Sequence, residues 1–130
     1  MSHSSLAVTV SSYIADDFIQ LLRTVPDPPN NVAEQDGDIS AVWEARNHFD
    51  MSNPTYRAVI RFLDSVNPDM FVCEIFSDDG NTDVFGRYEY GFGTERRFIL
   101  FGNPIDLDPK KLAHYKKKKL KGEKKKLRRK

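Results

Sequence analysis

Ile14, Phe18, Leu21, Leu22 and Val25 recur at steps of three, four and seven, which places them on one face of an α-helix. Ser11 or Ser12 can cap its start, Asp16 and Asp17 fall in its first turn and Arg23 in its last, as the helix dipole favours. The spacing predicts a core-packing helix ending near residue 24. A second stripe, Tyr56, Val59, Ile60, Leu63 and Val66, follows Ser52-Asn53-Pro54, a cap with proline in the first turn, and is stopped by Asn67-Pro68. Ahead of the first helix, residues 6–10 are short and rich in β-formers, and suit an edge strand. Residues 26–38 hold three prolines, two asparagines and Gly37 without apolar period, and read as a loop. Residues 39–49 admit two periods: Ile39, Ala41, Trp43 and Ala45 share a strand face, whereas Ile39, Val42, Trp43 and Arg46 share a helix face. The strand is the preferred reading.

From residue 70 the pattern turns to β. An apolar run over 70–76, the turn cluster Ser77-Asp78-Asp79-Gly80-Asn81 and the aromatic, β-capable run over 82–90 predict a hairpin. Gly91-Phe92-Gly93-Thr94 offers a second turn and residues 97–101 a third strand, so that 70–101 reads as an antiparallel meander. The fold class expected is α+β, with two helices packed on a three- to four-stranded antiparallel sheet. With 130 residues there is room for one core, and no apolar run is long enough to span a bilayer. The first residues lack the pattern of a secretory signal, and Cys73 is the only cysteine; the expectation is an intracellular protein without disulfide or cysteine-based zinc site.

Charge changes this ordinary picture. The formal net charge is +1, yet residues 1–109 hold 18 acidic residues against seven arginines and no lysine, a surplus of eleven negative charges. The last 21 residues, 110–130, hold eleven lysines, Arg128 and Arg129 against Glu123, a surplus of twelve positive charges. The chain therefore divides into an acidic, lysine-free α+β domain over 1–108 and a basic tail over 109–130. Asp108-Pro109 reads as a helix start, with Leu112, Tyr115 and Leu120 on a partial stripe, while self-repulsion favours disorder beyond Gly122. Arginine alone supplies the body's cations, consistent with fixed pairing to carboxylates; a body without acceptors for lysine modification is the functional alternative.

A lysine-dominated tail neutralises phosphates by charge and counterion release and carries little base specificity. Lys116, Lys117, Lys118, Lys119, Lys121, Lys124, Lys125, Lys126, Arg128, Arg129 and Lys130 are the candidate nucleic-acid contacts, on RNA, ribonucleoprotein or DNA. In a eukaryotic or viral setting the same cluster reads as a nuclear or nucleolar address. Tethered opposite charge also favours the tail folding back on the body. The acidic body would repel phosphate, and its expected partner is a basic protein, with Asp78, Asp79 and Asp83 the candidate contacts. Those acids miss the calcium-loop spacing, and no metal, cofactor or small-molecule substrate is indicated.

Catalysis has thin support. His48 between Arg46, Asn47 and Asp50, with Arg96 or Arg97 as phosphate clamps, is the arrangement a metal-free nuclease or toxin would use. Phe85, Tyr88, Tyr90, Phe92, Phe98 and Phe101 read as core and cross-strand packing rather than a base-stacking platform. The leading reading is a non-enzymatic adaptor, docked by its tail on nucleic acid or ribonucleoprotein while its acidic body binds a protein. The second is an inhibitor or chaperone whose body occupies a cationic surface, and the third is the nuclease.

Overall fold

Alternation along the first strand decides the architecture. In a computed structural model that describes residues 3–46, 49–77, 80–88 and 103–107, strand β1 (Ser4–Val10) sends Leu6, Val8 and Val10 to one face, where all three are fully buried. Helix α1 (Ala15–Thr24) follows after one 3-10 turn capped by the Ser11 side chain, which accepts from the Tyr13 N–H. Strands β2 (Asn31–Gln35) and β3 (Asp38–Arg46) come next, then helix α2 (Pro54–Asp64) and strands β4 (Phe71–Ser77), β5 (Thr82–Gly86) and β6 (Asn103–Pro104). Asn53 caps α2 by accepting from the N–H groups of Thr55 and Tyr56, and Pro54 occupies the first turn, where its missing donor costs nothing.

The strands form one antiparallel sheet in the order β5-β4-β1-β3-β2-β6. Its central β4-β1-β3-β2 run, threaded β-α-β-β-α-β, is the connectivity of a split β-α-β, or ferredoxin-like, arrangement. Such connectivity hosts many unrelated functions and argues for none of them. Both helices cover one face: Ala15, Phe18, Ile19 and Leu22 of α1, with Tyr56, Val59 and Leu63 of α2, pack on the inward residues of β1, β3 and β4. The Phe18 and Phe62 rings meet at 6.0 Å between the helices.

The α+β class and its two helices stand, but the sheet has six strands among the described residues rather than three or four. Residues 6–10 form no edge strand. β1 is paired on both sides, to β3 and β4, and Val8, Thr9 and Val10 are buried in succession. The expected loop over 26–38 contains β2, which joins β3 through Asp36-Gly37, two residues at φ 54° and 91°. That is the left-handed pair a tight hairpin turn needs, and Asp-Gly is its common sequence. Residues 39–46 are strand, as preferred, but Ala45 leaves the buried face. A one-residue bulge opposite Ser5 turns it outward at φ 55°, and its N–H bonds the Ser5 hydroxyl at 3.2 Å. The 70–76 and 82–90 hairpin forms as β4–β5; the third strand of the meander, at 97–101, and the tail from residue 109 lie outside the described residues.

The opposite face of the sheet is also shielded at its centre. Thr9, Ala33, Ser40, Val42, Val72 and Glu74 are all buried, and the Thr9 and Ser40 hydroxyls share a 2.8 Å hydrogen bond there. No described helix is long and apolar enough to cross a membrane.

Candidate functional site

Arg46, a sequence neighbour of His48 in the nuclease reading, is engaged within the fold. Its Nε and Nη2 donate to the Asp27 carboxylate at 2.8 and 3.1 Å, and Nη1 donates to the Glu44 carbonyl. The Trp43 indole N–H donates to the Asp27 carbonyl at 2.8 Å, and the Asp27 N–H to the Thr55 hydroxyl at 2.9 Å. Asp27 thus bolts the proline-rich stretch before β2 onto the end of β3 and the start of α2. Asp50 is likewise engaged, accepting from the backbone N–H and hydroxyl of Ser52. Asn47, His48, Arg96 and Arg97 lie outside the described residues.

A second polar cluster joins three separate parts of the chain. The Tyr88 hydroxyl donates to Asp38 Oδ2, while the other oxygen of Asp38 accepts from the Ser12 N–H at 3.0 Å. Burial pushes the Tyr88 hydroxyl above its ordinary pKa, the bond to Asp38 and that residue's charge push it further, and a bond with Ser11 opposes them. The cluster clasps the segment after β5 to the start of β3 and the entry to α1. A tyrosine held this firmly in its neutral form is a donor, and its role here is to fix the chain.

Of the three acids proposed as protein contacts, Asp83 is the one described. It lies on β5 opposite Ile75, on the helix-bearing side of the sheet, and it is exposed. Asp78 and Asp79 fall outside the described residues. Around them the Gly80 N–H donates to the Ser77 carbonyl and the Ser77 N–H to the Asn81 carbonyl, which is hairpin-turn bonding. Tyr56 is pushed above its ordinary pKa by burial first, then by Cys73, Asp83, Asp50 and Asp64. Asp50, Asp64 and Asp83 are all exposed. Met51 and Phe85, half-exposed, neighbour Asp50 and Asp83 along the chain.

Comparison with known families, characterised proteins and solved structures finds no match. The reading of the site rests on its own chemistry. Among the described residues no group of three or more histidine, cysteine or carboxylate side chains is placed to hold a metal. Cys73 is fully buried, and burial, with the charge of Glu74 adding to it, pushes its thiol up to about 12, so it is no nucleophile. Phe85 sits on the helix side and Tyr88 is clasped to Asp38, so these two form no common stacking surface; Tyr90, Phe92, Phe98 and Phe101 lie outside the described residues. On the sheet face away from the helices, Phe76 is the lone aromatic among the described strand residues. The tail contacts, from Lys116 to Lys130, also lie outside them. What the described residues offer is exposed carboxylates, Asp83 among them, and exposed apolar side chains at Tyr13, Met51, Val84 and Phe85.

Proposed function

We propose that the protein is a non-enzymatic adaptor, its lysine-rich tail docking on RNA, a ribonucleoprotein or DNA while its acidic body binds a protein. The observation that carries this reading is the segregation of charge, with every lysine in residues 110–130 and a surplus of eleven negative charges before them. Lysine rather than arginine dominates the tail, which favours anchoring on phosphates over reading bases.

The test is a salt titration of binding to mixed RNA and duplex DNA, comparing the full chain with a full-length variant whose lysines and arginines from 116 to 130 are glutamine. The full chain is expected to lose roughly a thousandfold in affinity between 50 and 200 mM salt, as about six phosphate contacts would require. The variant is expected not to bind. Equal binding by the two proteins, or a full chain indifferent to salt, overturns the assignment.

A further inference from the structure

The sheet face that carries neither described helix is nevertheless buried. Val42 is 2% and Glu74 4% exposed there, although the neighbours of Val42 on that face are Ala7, Asn31, Ser40 and Glu44. Ala7 and Ser40 are small, and Asn31 and Glu44 are exposed, so these four cannot bury a valine between them. Another layer lies over it. Both described helices pack on the other face, and Ile105 and Leu107 join the core on that side. The exposures are those of the single chain, so the cover is the chain's own. Two segments outside the described residues are long enough to provide it, 89–102 and 108–130.

We propose that residues 89–102 dock on this face as a third layer, crossing it from β5 to β6 with Arg96 or Arg97 against Glu74. The ends of the segment fix the path. The Arg87 and Tyr88 N–H groups donate to the Pro68 and Phe71 carbonyls at 2.7 and 3.0 Å. Tyr88 lies two residues beyond Gly86, which pairs with Val72, so it falls on the side away from the helices, where its hydroxyl meets Asp38. The chain returns at Asn103, opposite Glu34, with the Ile105 N–H on the Val32 carbonyl. β5 and β6 are the two edges of the described sheet, five strand spacings or about 24 Å apart. The fourteen residues between can extend to about 45 Å, enough to cross with a detour over the face. A meander strand at 97–101 on the outer side of β5 does not fit this span. Six residues carry Arg97 to Asn103, about 21 Å of chain against six spacings, about 29 Å. Composition selects the same occupant: Tyr90, Phe92, Phe98, Ile99, Leu100 and Phe101 can cover Val42 and Val72, whereas residues 110–130 would lay thirteen cations on those valines. A buried carboxylate such as Glu74 needs charged or hydrogen-bonded company, and an arginine fork is less costly to desolvate than an ammonium. A face covered in this way is closed to bases, which leaves phosphate binding to the tail.

The test is NMR on the full chain with methyl-labelled valines, at low and high salt. Nuclear Overhauser contacts are expected from the Val42 and Val72 methyls to the rings of Tyr90, Phe92, Phe98 or Phe101, and are expected to persist at high salt because the layer is apolar. Contacts from those methyls to Leu112, Tyr115 or Leu120 instead, or none beyond the sheet itself, overturn the proposal. The place of the arginines is read by a double-mutant cycle in urea unfolding. Arg96→Gln/Arg97→Gln is expected to lower the unfolding midpoint in the native background and to lower it several-fold less in Glu74→Gln. Equal shifts in the two backgrounds overturn the pairing with Glu74. Neither experiment reads nucleic-acid binding, so this proposal and the tail's assignment can fail separately.

Discussion

At the scale of single residues, Asp27, Arg46 and Cys73 serve the fold. Asp27 accepts from Arg46 through both carboxylate oxygens and from Trp43 through its carbonyl, so one residue ties the prolines of 26–29 to β3. The ion pair is partly exposed, and solvent screening limits it to about 1 kcal/mol. Arg46→Lys is expected to lose about that much in urea unfolding, because an ammonium cannot reproduce the paired geometry. Cys73 gives a sharper test. Its thiol is raised to about 12, so its neutral form stabilises the fold fully below the ordinary thiol pKa, and that stabilisation is lost as pH climbs from about 9 towards 12. Tyr88, also raised, acts with the same sign above about pH 10. Stability is expected to fall above pH 9, less steeply in Cys73→Ala, and the native thiol is expected to resist disulfide reagents until the protein unfolds. A native thiol as reactive as a free one would show that the burial is wrong.

At the scale of elements, helices were legible and strand positions only in part. Apolar stripes and caps marked α1 and α2 because both signals are local: Asn53, read as a cap from Ser52-Asn53-Pro54, accepts from two backbone N–H groups of α2. Asn53→Ala is expected to cost about 1 kcal/mol. β2 was lost among prolines, although Asp36-Gly37 carried the hairpin signal, since its five residues show no strict alternation. That β1 is central was not legible, because pairing on both sides depends on residues far away in sequence. Two glycines of the β4–β5 hairpin separate conformational from packing demands. At Gly80, φ is +96° and a Cβ would meet nothing within 4 Å; at Gly86, φ is +85° and it would lie 2.2 Å from the Phe71 carbonyl oxygen. Gly80→Ala is expected to cost about 1 kcal/mol of left-handed strain. Gly86→Ala is expected to cost more than twice that, because the backbones of β4 and the residue paired with Val72 would have to separate. Equal losses would mean that the close approach at Gly86 relaxes freely.

At the scale of the whole molecule, the division of charge was legible from counting alone, while the long-range links of Arg46 to Asp27 and of Tyr88 to Asp38 were not. A near-neutral total conceals two opposed charge blocks, and their coupling has a thermodynamic consequence. A body with a surplus of eleven negative charges repels itself, so added salt should stabilise it by screening. In the full chain the tethered positive charges already supply part of that screening. The expected melting temperature of the full chain therefore changes little between 50 and 300 mM salt. The variant with glutamine at the basic positions of 116–130 is expected to start lower and to gain about 3 °C over the same range, the shift that roughly 1 kcal/mol gives a domain of this size. Differential scanning calorimetry of the two proteins measures both slopes. Parallel salt responses would mean that the tail's charge does not act on the body's stability, and that the acidic surface is dispersed enough to need no counterweight.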